Sequence, residues 1–231
     1  MRRSLSFLLA ILGVLAMTAC RAEPDFPLAR AVESGERAEV RRLLDRGTNL
    51  EEAGANAWRP VIWAARHDRL DTLRMLLTAG ADPNTPATGG NGWTPLMHAI
   101  HTRQSAHSPA ARLGAIEALL EADADPNGRS RKGATPLIMA AGYGATDMVE
   151  LLLAAGANPR LQTPNGGTAL SAAVGGTGDL DHFTLGQCQT DTVKAILARA
   201  PDLRLGDRLW DRLALRLARW SGCTDVVRMV S

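Results

Sequence analysis

The chain has 231 residues, with 26 lysine and arginine side chains against 24 aspartate and glutamate side chains. This length is enough for one domain with its own hydrophobic core. A formal net charge of +2 provides no strong basic field, so the composition argues against nucleic acid as a partner.

Residues 1–19 have the pattern of an export signal. Arg2 and Arg3 give a basic start, and a mostly apolar run of about a dozen residues extends from Leu5 to Ala16. Such a run behind positive charge is typical of a secretory signal and is too short for a stable membrane span. Without residues 1–19 the chain has 24 basic and 24 acidic side chains, so it is formally neutral.

Small residues lead into a cysteine at the end of this segment. The sequence Met17-Thr18-Ala19-Cys20 resembles the lipobox of bacterial lipoproteins, although that family usually has leucine where Met17 stands. The resemblance implies that Cys20 is lipidated and becomes the mature N-terminus, with residues 20–24 as a short tether. An ordinary cleaved signal followed by an incidental cysteine is the alternative.

One phrase then recurs along the chain. It reads "LLDRGTNL" at 43–50, "LLTAGADPN" at 76–84, "LLEADADPN" at 119–127 and "LLAAGANP" at 152–159. Gly47 and Gly80 are 33 residues apart, and so are Asp123 and Gly156. Gly80 and Asp123 are 43 residues apart because this unit contains two insertions, one after "TPLMHAIHTR" and one in the loop before Trp93. The pattern indicates a tandem repeat.

A second phrase opens the units, as in "RPVIWAARHD" from 59 and "TPLIMAAGYG" from 135. A period of 33 residues with a "TPL" opening resembles the ankyrin repeat. The resemblance covers residues 25–231 and implies an all-α solenoid of about six helix-turn-helix units with short hairpin fingers. The units open near Phe26, Arg59, Thr94, Thr135, Thr168 and Leu213. The first and sixth lack the Thr-Pro pair, as capping repeats do.

Each unit has the chemistry of a helix pair. Thr135 and Pro136 suit the start of a first helix, and Asp147 lies near the positive end of a second helix that Gly156 ends. One helix pair cannot bury its apolar face alone, so neighbouring units must stack. The predicted core is Leu28, Leu43, Leu44, Val61, Trp63, Leu73, Leu76, Leu77, Leu96, Leu119, Leu120, Leu137, Leu151, Leu152 and Leu170.

The ankyrin resemblance implies a protein-binding strip on the finger tips and the concave face of the first helices. Exposed Trp, Tyr and Arg are the usual anchors of protein interfaces. In register, the strip consists of Trp58, Arg66, His67, Trp93, His101, Arg131, Lys132, Tyr143 and Trp220. The alternative for Trp58 and Trp93 is that they only cover the hairpin below them.

Two inserts, residues 101–112 and 175–189, lengthen the links between helices. Either they take part in recognition, or they are insertions that arose by drift and that the fold tolerates. Cys188 and Cys223 fall at nearly equivalent turns of neighbouring units, before "TDTV" and "TDVV". Because neighbouring units stack roughly 10 Å apart, these side chains can meet, and we predict a disulfide bond. Two free thiols are the alternative.

No pattern predicts a catalytic, metal or cofactor site. His98 and His101 are three residues apart, but no carboxylate or cysteine completes a metal spacing. The Gly-rich segment 175–178 has no preceding strand and no following Lys-Ser or Lys-Thr, so it does not predict a phosphate loop. An enzyme would be indicated by turnover that is lost on changing Asp181 or His182.

The sequence therefore predicts a monomeric, lipid-anchored module that binds another protein at the bacterial envelope, facing the periplasm. Arg21 follows Cys20 where aspartate would favour inner-membrane retention, so the lipoprotein resemblance implies the outer membrane. Two functions stay open at this point. One is a scaffold or assembly factor, and the other is an immunity-type inhibitor of a toxin or enzyme that acts in the periplasm.

Overall fold

The computed structural model describes residues 26–54, 57–67, 69–101, 109–176, 178–179, 182–183 and 187–231. Only the backbone is described for residues 109–112, 178–179 and 182–183. The predicted signal peptide, Cys20, the tether and Asp181 lie outside the described residues. The inserts 101–112 and 175–189 are described in part.

The described residues form six consecutive helix pairs. The first helices of the pairs are α1 (Pro27–Ser34), α3 (Pro60–Arg66), α5 (Pro95–Ile100), α7 (Pro136–Tyr143), α9 (Ala169–Gly175) and α11 (Leu209–Trp220). The second helices are α2 (Arg37–Asp45), α4 (Leu70–Thr78), α6 (Pro109–Glu121), α8 (Thr146–Ala154), α10 (Thr190–Arg199) and α12 (Thr224–Val230). The prediction of an all-α solenoid is confirmed. The second insert adds one pair of two-residue strands, β1 (Gly178–Asp179) antiparallel to β2 (His182–Phe183).

The helix pairs stack in sequence order. Each first helix contacts the first helix of the next pair, and each second helix contacts the next second helix, so the pairs form two parallel rows. A continuous core lies between the rows, and eleven of the fifteen predicted core residues are buried. The other four, Leu44, Leu77, Leu120 and Leu151, are half-buried against that core. The stack is therefore held together mainly by apolar burial between neighbouring units.

The start of three first helices depends on threonine. The side chains of Thr94, Thr135 and Thr168 each accept a hydrogen bond from the N–H three residues later, at 3.3, 3.3 and 3.1 Å. This satisfies a donor that the first helical turn leaves unpaired. Pro95 and Pro136 follow two of these caps, at a position where the missing N–H removes no helical hydrogen bond.

Asparagine explains why the phrase "DPN" recurs. The Asn84 side chain donates to the Asp123 carbonyl at 2.9 Å and accepts from the Asp125 N–H at 2.7 Å. The Asn127 side chain makes the same pair of bonds one unit later, to the Gly156 carbonyl and the Asn158 N–H. Each asparagine thus joins the end of its own unit to the end of the next, and this fixes the register of the stack.

The sixth unit begins earlier than the sequence predicts. The predicted start was near Leu213, but α11 begins at Leu209 and is 12 residues long. Residues 209–212 contain no Thr-Pro stop and no glycine, so nothing in the sequence delays the helix. Asp211 also lies in the first turn, where a carboxylate is favoured, and it accepts a hydrogen bond from the Gly206 N–H at 3.1 Å.

No helix among the described residues is long and apolar enough to span a bilayer. The same residues contain no group of three or more His, Cys, Asp or Glu side chains placed to hold a metal ion.

Candidate protein-binding surface

Five rings from the second, third and fourth units form a continuous aromatic cluster. Trp58 contacts His98 edge to face, with 4.8 Å between ring centroids, and Trp93 contacts His98 at 5.5 Å. Trp93 also contacts His101 at 4.7 Å, and His101 stacks on Tyr143 at 5.7 Å. Edge-to-face pairs at these separations are favourable beyond the area that they bury. The name aromatic cluster refers below to Trp58, Trp93, His98, His101 and Tyr143.

His101, which is predicted from the sequence to lie on the binding strip, is buried. It is only 6% exposed because the Trp93 and Tyr143 rings cover it. Its Nδ1 atom lies 2.6 Å from the Tyr143 hydroxyl, and the Arg66 guanidinium donates a hydrogen bond to the His101 carbonyl. His101 therefore links neighbouring units, and a partner can reach the cluster only through the half-buried rings around it.

His98 is the most buried member of the cluster and was not predicted as a site residue. It is 4% exposed, and neither ring nitrogen has a hydrogen-bond partner among the described residues. Burial, followed by the nearby charges of Arg66, His101 and His67, lowers the pKa of His98 from 6.5 to about 3. The imidazole is therefore neutral at pH 7 and acts as an aromatic packing element below the two tryptophans.

A cavity of about 350 Å³ opens beside the aromatic cluster. Its lining consists of four side chains from the cluster and its surroundings and four finger residues, namely Trp58, Trp93, Arg66 and His98 with Ala87, Gly89, Gly90 and Asn91. That finger is closed by a hydrogen bond of 2.9 Å from the Ala87 N–H to the Trp93 carbonyl. Two indole rings and one guanidinium in the lining of a cavity suit an apolar or aromatic side chain of a protein partner.

The remaining predicted strip residues of these units differ in their availability. Lys132 and His67 are exposed, and the His67 ring stacks on Trp63 at 5.1 Å. Arg131 is exposed as well, but its guanidinium donates hydrogen bonds to the Gly90 and Thr88 carbonyls of the neighbouring finger. Arg131 therefore positions that finger beside the cavity.

Trp220 lies in another part of the molecule, at the end of α11, and is 86% exposed. It belongs to a set of apolar side chains whose other members are absent from the predicted strip. We call this set the α11 stripe, and it consists of Leu209, Trp210, Leu213, Leu217 and Trp220. The signal was present in the sequence, since an apolar side chain recurs every three or four residues from 209 to 220.

The two cysteines belong to the last two units. Cys188 and Cys223 are joined by a disulfide bond, with their Cα atoms 5.3 Å apart. Each precedes a second helix, α10 or α12, so the bond ties the end of the second insert to the last unit.

Family models of ankyrin repeats match most of the chain. A three-copy model matches residues 4–87 and 28–107, a single-repeat model matches residues 91–131, and a many-copy model matches residues 119–173. Ankyrin repeats are typically interaction modules for proteins.

Curated relatives share the repeats over a limited length. The chain is 35% identical over 132 residues to the ankyrin repeat, SAM and basic leucine zipper domain-containing protein 1 of Ornithorhynchus anatinus, covering 57% of this chain and 26% of that protein. The Mus musculus protein of the same name is 35% identical over 120 residues, covering 52% of this chain and 24% of that protein. The chain thus spans about a quarter of the length of these relatives. Its repeat phrases, stacked helix pairs and family matches show that it belongs to the ankyrin-repeat family.

Proposed function

We propose that this chain is a membrane-tethered scaffold or assembly factor of the bacterial envelope, which binds a partner protein through its ankyrin stack. The observation that carries the proposal is the aromatic cluster with its adjoining cavity, where Trp58 and Trp93 are half-buried rather than sealed in the core. Partner side chains therefore have an aromatic surface to contact.

The binding surface is built to hold its shape. The Tyr143 hydroxyl fixes the His101 ring, and Arg131 fixes the finger across the cavity. A surface that is ordered before binding loses little conformational entropy when a partner arrives. The exposed Lys132 lies on the finger next to this surface and adds positive charge, which favours an approaching acidic group.

The tether in the proposal comes from the N-terminal sequence. Lipidation at Cys20 would leave only Arg21 to Pro24 between the lipid and the first unit, a span of about 15–18 Å when fully extended. The stack would then lie close to the membrane, facing the periplasm. More than one acyl chain at the cysteine, as in the lipoproteins that the segment resembles, would make the anchor stable.

The tether is tested by changing one residue in the full chain. We expect wild-type chain to fractionate with membranes and to incorporate labelled palmitate, and Cys20→Ala to do neither. A wild-type chain that is recovered without lipid would contradict this part of the proposal and leave the binding surface unaffected.

Partner binding is tested by immobilising residues 21–231 and incubating them with envelope extract. We expect Trp58→Ala combined with Trp93→Ala to lose a partner that the wild type retains. The control is Glu150→Ala, an exposed residue of the second-helix row. If the double variant keeps every partner and its stability, the aromatic cluster is not the binding surface. A tight one-to-one complex with a periplasmic toxin or enzyme would instead support the inhibitor function.

A further inference from the structure

The α11 stripe exposes more large apolar surface than any other described helix. Leu209 is 69% exposed, Trp210 43%, Leu213 41% and Trp220 86%, and Leu217 is half-buried beside them. Scattered exposed leucines need no explanation, but five large apolar side chains along one face of one helix indicate a contact surface.

The stripe is not needed to hold α11 on the stack. A different face of the helix does this, through the buried residues Asp211, Ala214 and Ala218. Ala214 lies so close to Gly175 of α9 that a Cβ atom at position 175 would be 3.3 Å from the Ala214 Cβ. Small residues thus set the packing of α11 on α9, while the large ones remain on the surface.

A recess of about 230 Å³ adjoins the stripe between α9 and α11. Three side chains of α11 line it together with residues of α9 and α7, namely Trp210, Leu213 and Leu217 with Ala172 and Ile138. The hydroxyl groups that line the recess already have partners. Thr168 and Ser171 form a reciprocal capping box with bonds of 2.8 and 3.1 Å, and the Thr163 hydroxyl accepts the Gly167 N–H at 2.9 Å. The recess therefore favours an apolar side chain.

A row of arginines flanks the stripe on the same helix. Arg208, Arg212, Arg216 and Arg219 are all exposed, and none of them forms an ion pair within the described part of the chain. The only acidic residue of α11 is Asp211, which is buried and accepts the Gly206 N–H. The surface thus combines an apolar stripe with an uncompensated row of positive charge.

We propose that the α11 stripe docks an acidic amphipathic helix of a partner protein. The apolar side chains of that helix would enter the recess and cover Leu213, Trp210 and Trp220, and its carboxylates would pair with the arginine row. α11 is about 18 Å long, so an occupant of about three turns matches it. The proposal rests on the proposed function, because it adds a second docking surface to the same protein-binding stack.

The charge and shape of the surface decide against two other occupants. A second copy of the chain would bring two arginine rows together with no exposed carboxylate on either helix to compensate them. A lipid surface would contact the protruding Trp220 and Leu209 but would not fill the recess between α9 and α11. A partner helix can do both, because its carboxylates pair with the arginine row and its apolar side chains fill the recess.

The probe is a fluorescein-labelled 12-residue peptide, about three helical turns long, with leucine at helical positions i, i+3, i+4 and i+7 and glutamate at most others. Its binding to the full chain is measured by anisotropy, with phosphatidylcholine nanodiscs present so that a lipid anchor has a neutral membrane to occupy. The matched control peptide has lysine for glutamate. We expect the acidic peptide to bind at least tenfold more tightly than the basic one.

The variants assign the contact to α11. We expect Trp210→Ala with Leu213→Ala, and separately Arg212→Glu with Arg216→Glu, to weaken the acidic peptide at least tenfold. Arg74→Glu, an exposed arginine of α4, should leave the affinity unchanged. Because all four substituted residues of α11 are exposed, we expect the stack to remain intact in each variant. Circular dichroism and urea unfolding verify this.

Several results would overturn the proposal. One is equal affinity for the two peptides, and another is unchanged affinity of both α11 variants for the acidic peptide. The third is binding of the α11 stripe only to nanodiscs that contain phosphatidylglycerol. The fourth is a wild-type dimer that Trp220→Ala dissociates. Each of these leaves the test of Trp58 and Trp93 with envelope extract unaffected, so the two proposals fail separately.

Discussion

The same helix pair uses tryptophan in two ways in this molecule. In the second and third units, Trp63 is buried, and Trp58 and Trp93 pack on His98 below a finger. In the last unit, Trp220 is 86% exposed. The difference follows from what surrounds each ring. Trp63 contacts the Trp58 and His67 rings and is buried, Trp58 and Trp93 are half-buried beside a cavity, and Trp220 lies on the surface at the end of α11. A tryptophan in this solenoid therefore supports the stack or is available for recognition according to the contacts around it.

The contrast between buried and exposed tryptophans predicts its largest effect on stability at Trp63. Trp63→Ala removes a side chain that is only 7% exposed and contacts both Trp58 and His67. We expect a loss of about 3–5 kcal/mol in the free energy of unfolding, from lost burial and the remaining cavity. Urea unfolding followed by circular dichroism measures it. A loss below about 1 kcal/mol would mean that this region is not the packed part of the stack.

The disulfide bond is expected to stabilise the last two units. Cys188 and Cys223 close a loop with a sequence separation of 35 residues. Cys188→Ala with Cys223→Ala should lower the free energy of unfolding by roughly 3–4 kcal/mol, because the open chain has more unfolded conformations. The measurement is urea unfolding without reductant. Two free thiols in the mass spectrum of wild-type chain purified without reductant would refute the bond.

The free energy of unfolding should depend on pH through His98, the buried histidine of the aromatic cluster. Because folding lowers the pKa of His98 from 6.5 to about 3, the unfolded chain binds a proton between these values that the folded chain does not. Stability from this residue is complete above pH 6.5 and falls as the pH decreases, by about 2 kcal/mol at pH 5. Urea unfolding of wild type and His98→Gln at pH 7.5 and pH 5 isolates it. Equal losses in both proteins would show that His98 is not responsible.

The helix caps provide a smaller contrast between inner and terminal units. Thr135→Ala removes the hydroxyl that accepts the Ile138 N–H, so we expect a loss of about 1 kcal/mol. Arg208 precedes α11 without a side-chain cap, and Arg208→Ala should change the stability by less than about 0.5 kcal/mol. Urea unfolding of the two variants side by side makes the comparison. Equal effects would contradict the assigned role of the threonine.

The smallest effect is expected at Trp220. Since its side chain is largely in water, Trp220→Ala should alter the free energy of unfolding by less than about 0.5 kcal/mol. The same measurement on Trp63→Ala serves as the reference. A loss of several kcal/mol at Trp220 would mean that this ring is covered within the chain, and the α11 stripe would no longer be a surface.

The repeat made much of the fold predictable. The 33-residue period placed the helix pairs, and the recurring leucines located the core, because stacked identical units repeat their contacts. The start of α11 was missed because the sixth unit lacks the Thr-Pro pair that marks a helix start elsewhere. The early start matters for function, since the additional turn carries Leu209 and Trp210.

The candidate site was less predictable than the fold. Register showed that Trp58, Trp93 and His101 lie near one another, but it could not show that Trp93 and Tyr143 cover His101. The pattern of leucines and arginines in α11 was visible in the sequence. Whether its apolar face was covered depended on the neighbouring unit, which a period alone does not show.

The α11 surface is tested most directly by the affinity of the acidic peptide for the variant that combines Leu213→Ala with Trp220→Ala. We expect this variant to bind the peptide at least tenfold more weakly than wild type, while its free energy of unfolding stays within about 1 kcal/mol of wild type. Unchanged affinity in a folded variant would contradict the claim that the uncovered face of the last unit recognises a partner.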